Sequence, residues 1–348
     1  MELNQFDYHL PPELIAQFPA ERRDESRLLV VKRADGGIHE SRFRSLPDYL
    51  SPGDVIVLNN TRVFPARLFG KKVPGGAAIE MLLLERIDRE NWRIIAYRAS
   101  RLKAGTRVAF SVSFYADVIQ SLGDGEFIVQ FSWQGNWETA LAAHGHIPLP
   151  PYIARQDGEF SDLDKERYQT VYAQANERLD SAAAPTAGLH FTAELLAALQ
   201  EKGIQIHKAT LRVGLDTFLP MRCERVEDHR MHSEAYFLPQ ETADAVANAL
   251  AQNRRVVAVG TTAVRILESA AAAPGKLTAG AGNADIFLYP GRPFHIVNAM
   301  ITNFHLPRTT LLLLVSAFLG NDLRRKAYEF AIANRFRFYS YGDAMVIL

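Results

Sequence analysis

The chain has a single cysteine, Cys223, in 348 residues. That excludes an intramolecular disulfide framework and a cysteine-based zinc site within one chain. An excess of either charge is also missing: 39 Lys and Arg balance 39 Asp and Glu, whereas dedicated nucleic-acid domains are more often basic overall. The longest apolar stretch, Leu311 to Val315 with its neighbours up to Leu319, falls short of the roughly 20 residues a membrane span needs. Met1-Glu-Leu-Asn-Gln5 has neither the basic start nor the apolar run of a signal peptide. No Gly-Lys-Ser/Thr phosphate loop occurs, and Gly280-Ala-Gly282 precedes a predicted strand instead of following one. P-loop and Rossmann patterns are thereby excluded. These absences predict a cytoplasmic protein with no membrane segment.

What is present is ordinary in bulk and uneven along the chain. Hydrophobic residues make up 48% and charged ones 22%, so a substantial core is expected. This length accommodates two domains, or one with an insertion. Val55-Ile-Val-Leu58 has the pattern of a buried strand ending in a polar turn, Asn59-Asn-Thr61. From Ala66 to Leu149 come short β pieces over 79–84, 92–97, 106–110, 116–119 and 126–131, with turn signals such as Pro74-Gly-Gly76 and Gly123-Asp-Gly125 between them. That spacing predicts a small barrel or sandwich, and Pro148-Leu-Pro-Pro151 marks its end. Beyond it, strands over 204–213, 255–259, 285–289 and 296–302 alternate with helices over 193–202, 241–252, 262–272, 309–318 and 322–334. The alternation predicts an α/β domain with much parallel sheet. Expected boundaries are 1–65 and 150–348 for a discontinuous α/β domain, and 66–149 for an inserted β domain.

The segment Ser181-Ala-Ala-Ala-Pro-Thr-Ala-Gly-Leu-His-Phe-Thr192 is the most informative. It carries a rigid Pro185, the Thr186 hydroxyl, a hinge at Gly188 and the titratable His190, just ahead of a helix start. Small side chains let a ligand approach the backbone, and a helix N-terminus offers free N–H groups. The same residues also suit a tight strand-to-helix turn. Val256-Val-Ala-Val-Gly-Thr-Thr262 places Gly260, Thr261 and Thr262 at the carboxyl end of a strand, where parallel sheets present ligands. Thr302-Asn-Phe-His-Leu-Pro307 repeats the arrangement with Asn303 and His305. His232 and Glu234 stand two positions apart, and Asp343 follows a glycine. His144 and His146 lack a third ligand at recognisable spacing, so no metal site is predicted. Between Glu85 and Arg107 seven basic residues, Arg98 and Arg101 among them, face three acidic ones, and Arg62 and Arg67 precede them. Such clustering permits an RNA partner.

Seven pieces occur in one order: Phe6-Asp-Tyr-His-Leu-Pro-Pro-Glu-Leu-Ile-Ala-Gln17, Asn59-Asn-Thr-Arg-Val-Phe-Pro-Ala-Arg67, Ala183-Ala-Pro-Thr-Ala-Gly-Leu-His-Phe191, Met231-His-Ser-Glu234, Val259-Gly-Thr-Thr262, Thr302-Asn-Phe-His-Leu-Pro307 and Tyr341-Gly-Asp-Ala-Met345. In that order, and over essentially its whole length, the chain resembles the S-adenosylmethionine:tRNA ribosyltransferase-isomerases of queuosine biosynthesis. The resemblance implies an α/β fold: a modified α/β-barrel-like main domain with an inserted small antiparallel β-barrel, as a monomer. It implies action on tRNA with a GUN anticodon carrying 7-aminomethyl-7-deazaguanine at the wobble position. The ribosyl group of S-adenosylmethionine is transferred and isomerised, giving epoxyqueuosine, adenine and methionine. S-adenosylmethionine is then a consumed co-substrate, and no cofactor or metal is implied.

Set on this chain, the resemblance gives proton transfer to His190, His232 and Glu234. Thr186, Gly188, Gly260, Thr261 and Thr262 are expected to cradle the nucleoside, with Asn303, His305 and Asp343 orienting ligand. Arg62, Arg67, Arg98 and Arg101 are expected to meet tRNA. The chain departs from the family pattern at Arg212, where His is usual, and at Asp216, where Gly is usual. Arg does not act as a base at neutral pH, and Asp216 adds a carboxylate to the expected pocket. These departures favour one alternative, a non-catalytic or altered-activity homologue that binds tRNA or S-adenosylmethionine. A methyltransferase is a further alternative, disfavoured by the missing Gly-rich loop.

Overall fold

The computed structural model describes residues 1–97, 100, 102–155, 162–176, 179–214, 221 and 223–348. They form two compact units: residues 1–62, 150–154 and 167–348, and residues 63–149 and 155–166.

The first unit opens with strands β1 (Arg27–Val31), β2 (Ile38–Arg42) and β3 (Val55–Asn59). The second unit follows with β4 (Arg67–Val73), β5 (Ala78–Arg86), β6 (Asn91–Tyr97), β7 (Arg107–Ala109), β8 (Phe114–Gly123) and β9 (Glu126–Trp133). Helix α1 (Trp137–His144), the short β10 (Gly145–His146) and α2 (Asp162–Arg167) come next. Strands β4-β5-β6-β9-β8-β7 pair antiparallel in that order, and a β4–β7 pairing closes the ring. Period-two burial explains the closure. Phe114, Ala116 and Val118 on β8, and Phe127, Val129 and Phe131 on β9, turn inward while their neighbours stay partly exposed.

The first unit resumes with α3 (Ala193–Glu201), β11 (Gln205–Leu211), β12 (Glu234–Leu238), α4 (Gln240–Ala251), β13 (Val256–Val259) and α5 (Gly260–Ser269). A small hairpin of β14 (Ala271–Ala273) and β15 (Lys276–Leu277) leads to β16 (Gly280–Ala284) and β17 (Ala299–Asn303). Helices α6 (Thr310–Leu319) and α7 (Asn321–Ala333) precede the last strand, β18 (Ala344–Ile347). Nine strands make one mixed sheet in the order β16-β12-β11-β3-β13-β17-β18-β1-β2, with β16 and β2 at its two edges.

The centre of this sheet, β11-β3-β13-β17, is parallel. Its strands are apolar because both faces are covered. Val55 and Val57 pack into one layer with residues of α4 to α7, while Ile56 and Leu58 pack into the other with Leu195 and Leu199 of α3. The four parallel strands end together at Leu211, Asn59, Val259 and Asn303. That edge is where an α/β sheet presents ligands.

The strand expected over 285–289 is not formed. The chain instead pairs Gly280–Ala284 antiparallel with β12. Gly282 permits this register, because a Cβ there would meet the Tyr236 ring at 2.6 Å. Phe287 then packs side by side with Tyr289, ring centroids 4.9 Å apart. Among the described residues no helix is long and apolar enough to cross a membrane.

Candidate functional site

A cleft opens at the carboxyl edge of the parallel strands. About 590 Å³ of space lies within it, part of it open solvent. Three stretches form its walls: Ala184–Ala187 from the alanine-rich segment, Gly260–Thr262 at the start of α5, and Thr302–Leu306 at the end of β17. Tyr152, Val213, Thr309, Leu311, Tyr339 and Ser340 also line it.

The alanine-rich segment lies where it does because its polar ends are tied to strand ends. The Ser181 and Thr61 hydroxyls are 2.6 Å apart, and Ser181 Oγ accepts from the Val213 amide at 2.8 Å. Asn59 Oδ1 accepts from the amides of Thr61 and Leu211, each at 3.1 Å. At the other end Thr192 caps α3, accepting from the Leu195 amide at 3.1 Å. Between these anchors Thr186–His190 winds as a short 3-10 turn.

Asn303 organises the floor. Its Oδ1 accepts from Thr186 Oγ1 at 3.0 Å, and its Nδ2 donates to the Tyr339 carbonyl at 3.2 Å. Nδ2 also lies 3.3 Å from Nε2 of His190. His190 itself sits behind this floor, lining a smaller adjacent cavity with Arg23, Arg167, Ser340 and Tyr341. Burial, with Arg337 and Arg23 nearby, pushes its pKa down to about 3, so the ring is neutral near pH 7.

His305 faces the cleft directly. Its Nε2 pairs with Thr302 Oγ1 at 2.8 Å, and the Tyr328 hydroxyl accepts from its amide at 3.1 Å. The Tyr8 hydroxyl donates to its carbonyl. Among the described residues no hydrogen bond reaches Nδ1. Burial lowers this imidazole to about 3 as well. The ring is therefore neutral near pH 7, with Nε2 oriented by Thr302 and Nδ1 open to a hydrogen bond from or to a ligand.

Tyr152 and Tyr339 give the cleft an aromatic wall, their ring centroids 4.7 Å apart and the Tyr152 hydroxyl 2.7 Å from Ser340 Oγ. Tyr339 holds this place with φ of +71°, a conformation rare for a bulky residue and concentrated at functional sites. Such a wall can stack a purine.

The other expected residues lie elsewhere. Glu234 is buried in an ion pair with Arg265 and accepts from the Gly214 amide at 2.9 Å. His232 is exposed, and its carbonyl accepts from Arg265 at 3.3 Å. Neither is among the described residues of the cleft lining. Asp343 accepts from the amides of Arg27 and Arg337 at 3.0 and 2.7 Å, tying β1 to the start of β18. Gly188 lies against Tyr172, where a Cβ would meet the hydroxyl at 1.9 Å. Arg62 is paired with Asp180 at 2.5 Å, and Arg67 of β4 with Glu80 at 3.3 Å. Asp216, Arg98 and Arg101 lie outside the described residues. Among the described residues no cluster of three or more His, Cys, Asp or Glu is arranged to hold a metal ion. The sequence gives no role to Tyr152, Tyr339 or Arg265; only the positive φ and the pairing of distant elements reveal them.

Residues 3–347 match the family described as "Queuosine biosynthesis protein". The chain belongs to that family. Relatives from Desulfitobacterium hafniense and Geobacter sulfurreducens are 50% and 49% identical to it, each alignment covering 100% of both proteins. Both relatives are named S-adenosylmethionine:tRNA ribosyltransferase-isomerase. The crystal structure of S-adenosylmethionine tRNA ribosyltransferase from Thermotoga maritima is 36% identical, with a TM-score of 0.56 over 99% of this chain and 100% of that one.

Proposed function

We propose that this chain is an S-adenosylmethionine:tRNA ribosyltransferase-isomerase. Its substrate is tRNA with a GUN anticodon carrying 7-aminomethyl-7-deazaguanine at the wobble position, and its products are epoxyqueuosine-tRNA, adenine and methionine. The end-to-end match of residues 3–347 to one family carries this reading.

The sulfonium acidifies the adjacent 5′-carbon of the ribosyl group, so a neutral base can remove a proton there. Adenine leaves with a proton, methionine leaves with the carbon–sulfur electron pair, and the attacking aminomethyl group must be unprotonated. In this reading His305 orients the ligand within the cleft and His190 fixes Asn303 from behind. Tyr152 and Tyr339 stack the adenine. Glu234, held by Arg265, shapes the neighbouring wall, and Arg62, Arg67, Arg98 and Arg101 meet the tRNA. S-adenosylmethionine is consumed, no cofactor or metal takes part, and the protein works as a cytoplasmic monomer.

One assay tests the reading. The protein is incubated with S-adenosylmethionine and tRNA bearing the aminomethyl-deazaguanine, and adenine release and nucleoside mass are measured. Adenine with epoxyqueuosine is the expected result. S-adenosylhomocysteine would identify a methyltransferase, and binding without product would identify a non-catalytic homologue.

A further inference from the structure

Thr262 Oγ1 is the one buried hydroxyl of the cleft lining without a hydrogen-bond partner among the described residues. The residue is only 7% exposed, and an unmet polar group at such burial costs free energy unless something else satisfies it. It stands in the first turn of α5, where the backbone N–H groups have no partner within the helix. The residue before the helix is Val259, whose aliphatic side chain offers no cap. Helices α3 and α6 differ, since the Thr192 and Thr309 hydroxyls accept from the Leu195 and Leu312 amides at 3.1 and 3.3 Å.

Gly260 keeps the space beside this hydroxyl open. Its φ is +83°, and a Cβ there would stand 3.5 Å from Thr262 Oγ1 and 3.6 Å from Ala187 Cβ. A matching group must accept from both a hydroxyl and amide N–H groups, and the positive end of the helix dipole favours negative charge. S-adenosylmethionine carries one anionic group, the carboxylate of its methionyl part. Its sulfonium and ammonium are cationic, and its adenine and ribose are neutral.

We propose that the first turn of α5, Gly260–Thr262, receives the methionyl carboxylate of S-adenosylmethionine, with Thr262 Oγ1 donating to it. The proposal rests on reading the cleft as the S-adenosylmethionine site. It moves these three residues from the nucleoside to the amino-acid end of the molecule, leaving the tyrosine wall for adenine. A tRNA backbone phosphate offers the same acceptor chemistry, so the test separates the two sources.

Calorimetric titration of the full chain with S-adenosylmethionine, decarboxylated S-adenosylmethionine and tRNA provides that test. The wild type is expected to bind S-adenosylmethionine at least about tenfold tighter than the decarboxylated compound, the scale of one charge-assisted hydrogen bond. Thr262→Val should remove that preference and leave affinity for the decarboxylated compound and for tRNA unchanged; Thr262→Ser should restore it. Equal wild-type affinity for the two compounds overturns the proposal. So does a Thr262→Val variant that weakens both compounds alike, or one that weakens tRNA alone, which would assign the turn to phosphate. A wild type that binds no S-adenosylmethionine, with or without tRNA, instead refutes the proposed function on which the assignment rests.

Discussion

Nδ2 of Asn303 lies 3.3 Å from Nε2 of His190, and Oδ1 of the same side chain accepts from Thr186 Oγ1 at 3.0 Å. With the imidazole neutral, its Nε2 accepts and fixes which way the amide points. Thr186 and the Tyr339 carbonyl meet that orientation at the cleft. His190 therefore acts on the cleft through Asn303.

Replacing Asn303 by Asp keeps the shape but turns a donor into an acceptor facing two other acceptors. The variant is expected to lose about 1–3 kcal/mol, the cost of leaving buried polar groups unmatched, and most adenine release. His190→Gln, which still offers an acceptor, should retain more turnover than His190→Ala. Urea unfolding and adenine release check both effects; equal turnover of the two His190 variants would remove the positioning role.

The Glu234–Arg265 pair calls for a different outcome. Both residues are buried, and Arg265 also donates to the Ala284 carbonyl at 2.6 Å. Removing one partner of a buried pair leaves an uncompensated charge, at a cost of about 3–5 kcal/mol. Glu234→Leu should therefore unfold at much lower urea, and Glu234→Leu combined with Arg265→Met should recover much of the loss. A general base would behave otherwise: Glu234→Leu would keep its unfolding midpoint while adenine release disappeared.

Elements and strand ends were legible because their signals are local. Thr192 before α3, the run Val55–Leu58 and the turns between barrel strands each act within a few residues. The site was legible only as islands. That Glu234 meets Arg265, or that His190 turns behind Asn303, depends on which sheet neighbours bring distant residues together. Ile286 and Leu288 alternate like a strand, yet pairing went to Gly280–Ala284 because Gly282 accommodates the Tyr236 ring. The sequence places Thr262 among the ligand-side residues, but its missing partner is visible only in three dimensions.

Gly188 is a matter of space. A Cβ at this position would stand 1.9 Å from the Tyr172 hydroxyl and 3.0 Å from Thr170 Cγ2. Gly188→Ala is expected to cost about 1–3 kcal/mol through overpacking. The Tyr172 hydroxyl is buried without a hydrogen-bond partner among the described residues, so Tyr172→Phe alone should be close to neutral. Combined with Gly188→Ala it should relieve part of the strain, leaving the 3.0 Å contacts with Thr170 Cγ2 and the ring Cζ of residue 172. Thermal unfolding of the three variants measures the coupling; strictly additive losses would mean that the alanine is accommodated elsewhere.

The two buried imidazoles make stability depend on pH in a defined direction. Burial lowers both His190 and His305 to about 3, with Arg337 and Arg23 adding to the shift at His190. An ordinary histidine in the unfolded chain titrates near 6.5, so as pH falls the unfolded state takes up the proton first. Stability is then complete above about 6.5 and is lost progressively as pH falls toward 3. Each ring contributes a slope of up to about 1.4 kcal/mol per pH unit in that window. Urea unfolding of the wild type should lose about 3–4 kcal/mol between pH 7 and pH 5. The half-buried His146, His207 and His229 are lowered in the same direction and add smaller amounts. His190→Asn should shrink the slope by about one ring's share, whatever it costs at pH 7. A variant with the wild-type slope would mean that His190 is not held neutral by the fold, and that its hydrogen bond to Asn303 is made by a ring free to protonate.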